Sequence, residues 1–339
     1  MFRILKTISS IPLILLILPI LLILILLMTV SDLQKSILNT IAYFHLFDFP
    51  LTGFEVYKYL WRASRKYGAR EVDEALEELC QNKILGFNEG FHFLKGKINL
   101  VEKRKERYLL AQEKMKSARP FLKILAALPF VKAIFICNDV AYQNAPEASD
   151  IDIAIICSKN KIWTARFFST LAMKLFRKRP TPETHENKIC LSFYLTENNL
   201  NLEKIAYPND IHFIYWLYQF LPVYGEQTLI NDFFIANEWT KKYLPNMIQN
   251  KSNARWTINR RESLKKFFEF ILSGPIVNFL EKFLKKIQLA ILPKHLLELS
   301  GQPNTDVIIN DQILKFHDKD NRLEIKKQWG ELTAIAVNS

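Results

Sequence analysis

Hydrophobic and polar positions change their rhythm several times along this chain, and each change marks an element boundary. Residues 11–30, IPLILLILPILLILILLMTV, carry no charge; Arg3 and Lys6 precede them and no small-residue cleavage site follows. A run of that length and purity is expected to form an uncleaved transmembrane helix, kinked at Pro12 and Pro19, that makes residues 1–30 a membrane anchor. Two localisations follow. The rest of the protein faces the cytoplasm from the inner membrane, or it is wholly cytoplasmic if translation starts at Met28.

Residues 31–98 mix helical and strand periods. Ser31 can cap a helix with Leu33, Ile37, Ile41 and Phe44 at helical spacing, Thr52 begins a second, and a third over 71–81 buries Val72, Ala75, Leu76 and Leu79. Residues 84–87 and 91–94 alternate as a hairpin around Asn88-Glu89-Gly90. Three helices and a hairpin form a winged-helix-like pattern. In such domains the third helix often enters a DNA groove, yet here it carries Glu71, Asp73, Glu74, Glu77 and Glu78. Acidic side chains repel phosphate, which favours packing or protein contact over nucleic acid.

Residues 99–129 read as a basic linker helix interrupted at Pro120, a wall of Lys103, Arg104, Lys105, Arg107, Lys114, Lys116 and Arg119 that draws anions or simply faces water. Residues 130–199 run strand (131–137), polar loop, strand (150–156), helix capped by Ser158, strand (188–196). Residues 200–339 read as a helical C-terminal region. It holds an aromatic helix at IHFIYWLYQFL, a turn at Pro222-Val223-Tyr224-Gly225, two basic amphipathic helices over 262–270 and 276–291, and a charged helical ending, ILKFHDKDNRLEIKKQW. The expected class is α+β, with a small mixed sheet at its centre.

Composition adds a preference for anions. The 339 residues are 49% apolar, enough for more than one core, and 46 basic against 34 acidic side chains leave a net charge of +12. Cys80, Cys137, Cys157 and Cys190 have no CxxC spacing, so reduced thiols are expected rather than zinc or a disulfide framework. The histidines are expected in the core or in solvent: His45 and His92 among aromatics, His212 inside the aromatic helix, His185 solvated, and His317 in an exposed cap.

Candidate chemistry concentrates in FICNDVAYQNAPEASDIDIAIIC, residues 135–157. Side chains two apart on a strand share a face, so Asp150 and Asp152 stand side by side while Ile151 and Ile153 point away. Paired carboxylates beside a phosphate-sized loop suit Mg²⁺, which takes one or two protein carboxylates and completes its shell with water and phosphate. Arg166, on the next helix, either meets phosphate or flanks the surface.

Over residues 130–196 this order resembles the nucleotidyltransferase superfamily, with its DNA polymerase β-like fold and its small stand-alone bacterial members. Their pattern is a Gly-Ser loop, a short spacer and Asp-x-Asp; Ser149-Asp150-Ile151-Asp152 matches the carboxylate half. The resemblance implies that Asp150 and Asp152 are catalytic ligands of a pair of Mg²⁺ ions, with the nucleoside triphosphate bound about Asn138, Asp139, Ser149 and Arg166. The implied reaction moves a nucleoside monophosphate from that triphosphate to a hydroxyl of a nucleic acid or another acceptor. Two departures favour a catalytically inactive nucleotide- or nucleic-acid-binding regulator instead. Asn138-Asp139 stands at the Gly-Ser position, and the third strand offers Ser192 where active relatives carry a further acid.

Overall fold

The computed structural model describes residues 30–97, 99–181, 183–249, 255–258, 263–272, 275–302, 307–317 and 321–338. Except for Val30, the expected anchor at 11–30 lies outside them. Among the described residues no helix is long and apolar enough to cross a membrane, so the expectation of a transmembrane helix is overturned there. The longest described helix, Leu100–Ala127, has the length but is studded with Lys and Arg.

The N-terminal elements follow local signals. Helix α1 (Asp32–His45) starts with a capping box in which Ser31 and Gln34 satisfy each other's backbone N–H. Thr52 and Glu55 repeat the device at α2 (Gly53–Tyr59), and α3 spans Ala69–Gln81. The hairpin β2 (Leu85–Asn88) and β3 (Phe91–Leu94) gains an antiparallel partner in β1 (Leu51–Thr52), giving the order β1-β3-β2. The apolar face of α3 is buried, while Asp73, Glu74, Glu77 and Glu78 are exposed.

Helix α4 (Leu100–Ala127) runs unbroken through Pro120, where an interruption was expected. Pro120 and Lys116 both lie on the exposed side. Water can therefore satisfy the Lys116 carbonyl that a proline at the next turn leaves without its N–H donor. The basic wall is largely spent inside the protein. Lys103 pairs with Asp48, the buried Arg104 with Glu55, and Lys105 with Glu89, while Arg107 donates to the Phe47 carbonyl.

The central sheet has the order β7-β4-β5-β6-β9-β8. It contains β4 (Val131–Ile136), β5 (Ile151–Cys157), β6 (Ile189–Thr196), β7 (Leu221–Gly225), β8 (Val307–Ile309) and β9 (Ile313–Phe316). Among the described residues only β5 and β6 pair in parallel. Between β4 and β6 lie the short α5 (Asn138–Ala141) and α6 (Ile162–Leu175). The region expected to be helical, with a turn at 222–225, thus contributes β7, β8 and β9. Pro222 fits because β7 is an edge strand, where a missing N–H costs no ladder bond. Gly225, at φ +140°, lies so close to β4 that a Cβ there would sit 2.7 Å from Ala133 Cβ.

One sheet face, with Ile134, Ile136, Ile153 and Ile155, packs under α4 and α6. The other, with Phe135, Ala154, Ile156 and Phe193, packs on α7 (Ile211–Tyr218) and α8 (Gln227–Ala236). Tyr215 and Tyr218 of α7 also enter the core of the N-terminal elements, as does Ile325 of α12 (Arg322–Asn338), which packs along α1. Helices α9 (Ser263–Ile271), α10 (Pro275–Ile291) and α11 (Lys294–Ser300) complete the order. Ser158 does not cap α6. That helix starts after Lys161, and the Glu281 carboxylate of α10 accepts from the backbone N–H groups of Trp163 and Thr164.

Candidate functional site

Asp150 and Asp152 do stand together, at the start of β5. One oxygen from each and the Cys190 sulfur of β6 lie within 4.8 Å of one another. The sheet explains the third member. Asp152 pairs with Cys190, but two residues on Ala154 pairs with Phe193, so β6 carries an irregularity that gives it one extra residue. Such a bulge re-aims side chains. Leu191 faces the α4–α6 core and Phe193 the opposite one, while Cys190 turns toward the carboxylates. Ser192, the polar candidate on this strand, instead reaches His317 Nε2 at 3.4 Å. His317 is half-buried directly after β9, not in an exposed helix cap.

Asn138 and Asp139 form the first turn of α5, directly after β4. Asn138 takes a left-handed φ of 52°, which asparagine tolerates better than most residues. Its amide donates to Asp152 Oδ2 over 2.7 Å. Asp139 lines the same small cleft as Asp152, about 250 Å³ in volume, together with His212, Trp216, Lys315 and Arg322. Ser149 does not face either carboxylate: its hydroxyl donates back to the Pro146 carbonyl. The buried Lys114 of α4 fixes that loop from below, donating to the carbonyls of Glu147 and Ser149 and to Asn187 Oδ1.

Asp150 opens onto a different cleft, of about 520 Å³, on the β6–α6 side. Arg166 lies in its wall, where Nη1 donates to Gln288 Oε1 over 2.6 Å and the guanidinium stacks on Phe316. Arg179, His185 and Cys190 line the same cleft. Trp163, by contrast, is buried in the core. The carboxylate pair therefore stands between two openings.

The electrostatics favour a cation. Burial, and then the neighbouring Asp152 charge, push Asp150 up to about 6. Burial likewise raises Asp152, against the donated Asn138 and Cys190 hydrogen bonds. Asp139 is pushed to about 6 by burial, although the Arg107 and Lys114 charges oppose the shift. A cation at Asp150 and Asp152 would relieve this crowding. The oxygen donors fit Mg²⁺. The Cys190 thiol does not fit a hard ion, because burial raises its pKa well above the ordinary value and keeps it protonated. Cys190 and Lys114 escaped the sequence reading. A thiol paired across a parallel ladder has no periodic signature, and a lysine on a basic helix looks solvated.

No family model matches this chain, and no curated protein and no solved structure matches it.

Proposed function

We propose that this protein is a nucleotidyltransferase-like enzyme with a winged-helix-type N-terminal module. On this reading Mg²⁺ at Asp150 and Asp152 supports transfer of a nucleoside monophosphate from a nucleoside triphosphate to a hydroxyl. The observation that carries it is the half-buried carboxylate pair, raised in pKa and held at the end of a sheet between two clefts. Asp150 and Asp152 would hold the metal, which when bound neutralises phosphate charge and lowers the pKa of an attacking hydroxyl. Asn138 keeps Asp152 oriented through its amide, and Lys114 keeps the 146–149 loop, and with it Asp150, in position.

The acceptor oxygen bonds to the α-phosphorus, the bond from that phosphorus to the bridging oxygen breaks, and pyrophosphate leaves with the electron pair. The hydroxyl proton goes to a base on the Asp150 side, where His185 lines the cleft. A second reading, nucleotide binding without turnover, is favoured by one observation: the group that completes the carboxylate cluster is the Cys190 thiol and not a third acid.

Calorimetric titration of the full chain with Mg²⁺-ATP and the other triphosphates tests both. Wild type binds at least one of them and Asp150→Ala/Asp152→Ala binds none. Absence of binding by wild type sinks both readings. Pyrophosphate release by wild type that is lost on His185→Asn supports transfer; binding without release leaves the regulatory reading.

A further inference from the structure

The larger cleft contains two arginines, Arg166 and Arg179, each with a buried N–H donor left unmet. Arg166 of α6 gives Nη1 to Gln288, but its Nε–H is buried without an acceptor. Arg179, in the loop between α6 and β6, has a buried Nη1 in the same condition. The two are near enough for the Arg179 charge to help lower the Arg166 pKa, after burial. Among the described residues neither forms an ion pair, and Lys174 lines the cleft beside them. Like charges held together at a half-buried wall are unfavourable until an oxyanion joins them, and the guanidinium fork matches phosphate oxygens in bidentate fashion. The remaining wall is apolar, with Phe167, Leu171, Ile291, Leu296 and Phe316. Asp150 belongs to this cleft, whereas Asn138, Asp139 and Asp152 belong to the smaller one.

We infer that the Arg166–Arg179 cleft is the acceptor subsite, and that the acceptor is an organic phosphomonoester with an apolar body. The inference rests on the transfer reading above. That reading puts the base, and so the incoming hydroxyl, on the Asp150 side, which leaves the Asn138–Asp152 side to the nucleotide phosphates. Two guanidinium groups and an ammonium favour a phosphate dianion over a single carboxylate, and the apolar wall accepts the body of the molecule.

The test uses the full chain without metal or nucleotide and titrates it calorimetrically with phenyl phosphate, benzoate, phenol and inorganic phosphate. Phenyl phosphate binds about tenfold or more tighter than each of the other three. Arg166→Gln and Arg179→Gln each weaken it by about tenfold, and saturating Mg²⁺-ATP leaves it bound. Arg179→Gln lies in a loop and guards against misfolding of the more buried variant; an unchanged circular-dichroism spectrum and a cooperative thermal melt check that both fold. Equal binding by wild type and Arg179→Gln overturns the subsite, as does displacement of phenyl phosphate by Mg²⁺-ATP. If Mg²⁺-ATP binds and phenyl phosphate does not, the acceptor subsite fails alone and the nucleotide reading stands. If phenyl phosphate binds and Mg²⁺-ATP does not, the nucleotide reading fails and the assignment to an acceptor falls with it.

Discussion

The amide of Asn138 donates to Asp152 Oδ2 over 2.7 Å, tying the turn that follows β4 to the start of β5. Asn138 does this from a left-handed backbone conformation, φ 52°. Two separable contributions meet in one residue, a charge-assisted hydrogen bond and tolerance of positive φ. Asn138→Gly loses the first and keeps the second, and is expected to destabilise by about 1.5–3 kcal/mol. Asn138→Ala loses both and falls lower by a further ~1 kcal/mol. Urea unfolding at pH 7 measures both, and an alanine variant as stable as the glycine variant would remove the backbone half of the argument.

Asp139 sets a pH dependence. Burial raises its pKa from an ordinary 3.8 to about 6, so between those values the folded protein binds the proton and the unfolded chain does not. This contribution is fully present below the unfolded value and is lost as pH rises through about 6. Asp139→Asn is therefore more stable than wild type above pH 6, by on the order of 2 kcal/mol, and the advantage disappears toward pH 4. Thermal melts across pH 4–8 decide it; an advantage independent of pH would mean that the carboxyl is not strained.

Lys114 is the hidden brace of the loop before Asp150. Lys114→Met keeps the aliphatic stem but leaves the carbonyls of Glu147 and Ser149 without their donor. A loss of roughly 2–3 kcal/mol is expected, with faster amide exchange at Asp150 and Ile151 than on β4. Uniform exchange across the sheet would argue against a local role.

In the wall of the smaller cleft, Arg322 donates to Asp210 Oδ2 over 2.8 Å, with both side chains buried. Asp210 also caps α7 by accepting from the Phe213 N–H, so the pair joins α12 to the helix shared by two cores. Arg322→Met strands a buried carboxylate and is expected to cost about 3–5 kcal/mol. Adding Asp210→Asn to it should recover part of that loss in chemical denaturation. A double mutant no more stable than the single would show that the charge is not what is stranded.

What the sequence determined by itself is local. Ser31 with Gln34 and Thr52 with Glu55 announce helix starts, because a capping box is built from residues three apart. The Ile-rich β4 and β5 and the shared face of Asp150 and Asp152 follow from a period of two. Tertiary structure decided everything that depends on distant pairing. Leu221–Gly225 becomes a strand only because β4 offers it an edge, and Val307–Ile309 with Ile313–Phe316 extend the sheet beyond β6. Cys190 reaches the carboxylates because an extra residue in β6 shifts its register, and Arg166 shares a cleft with Arg179 because the loop after α6 folds back to start β6. No residue spacing encodes these arrangements. They arise from hydrogen-bond ladders and buried surfaces between segments far apart in the chain, and those contacts determine which charges in the site keep a partner.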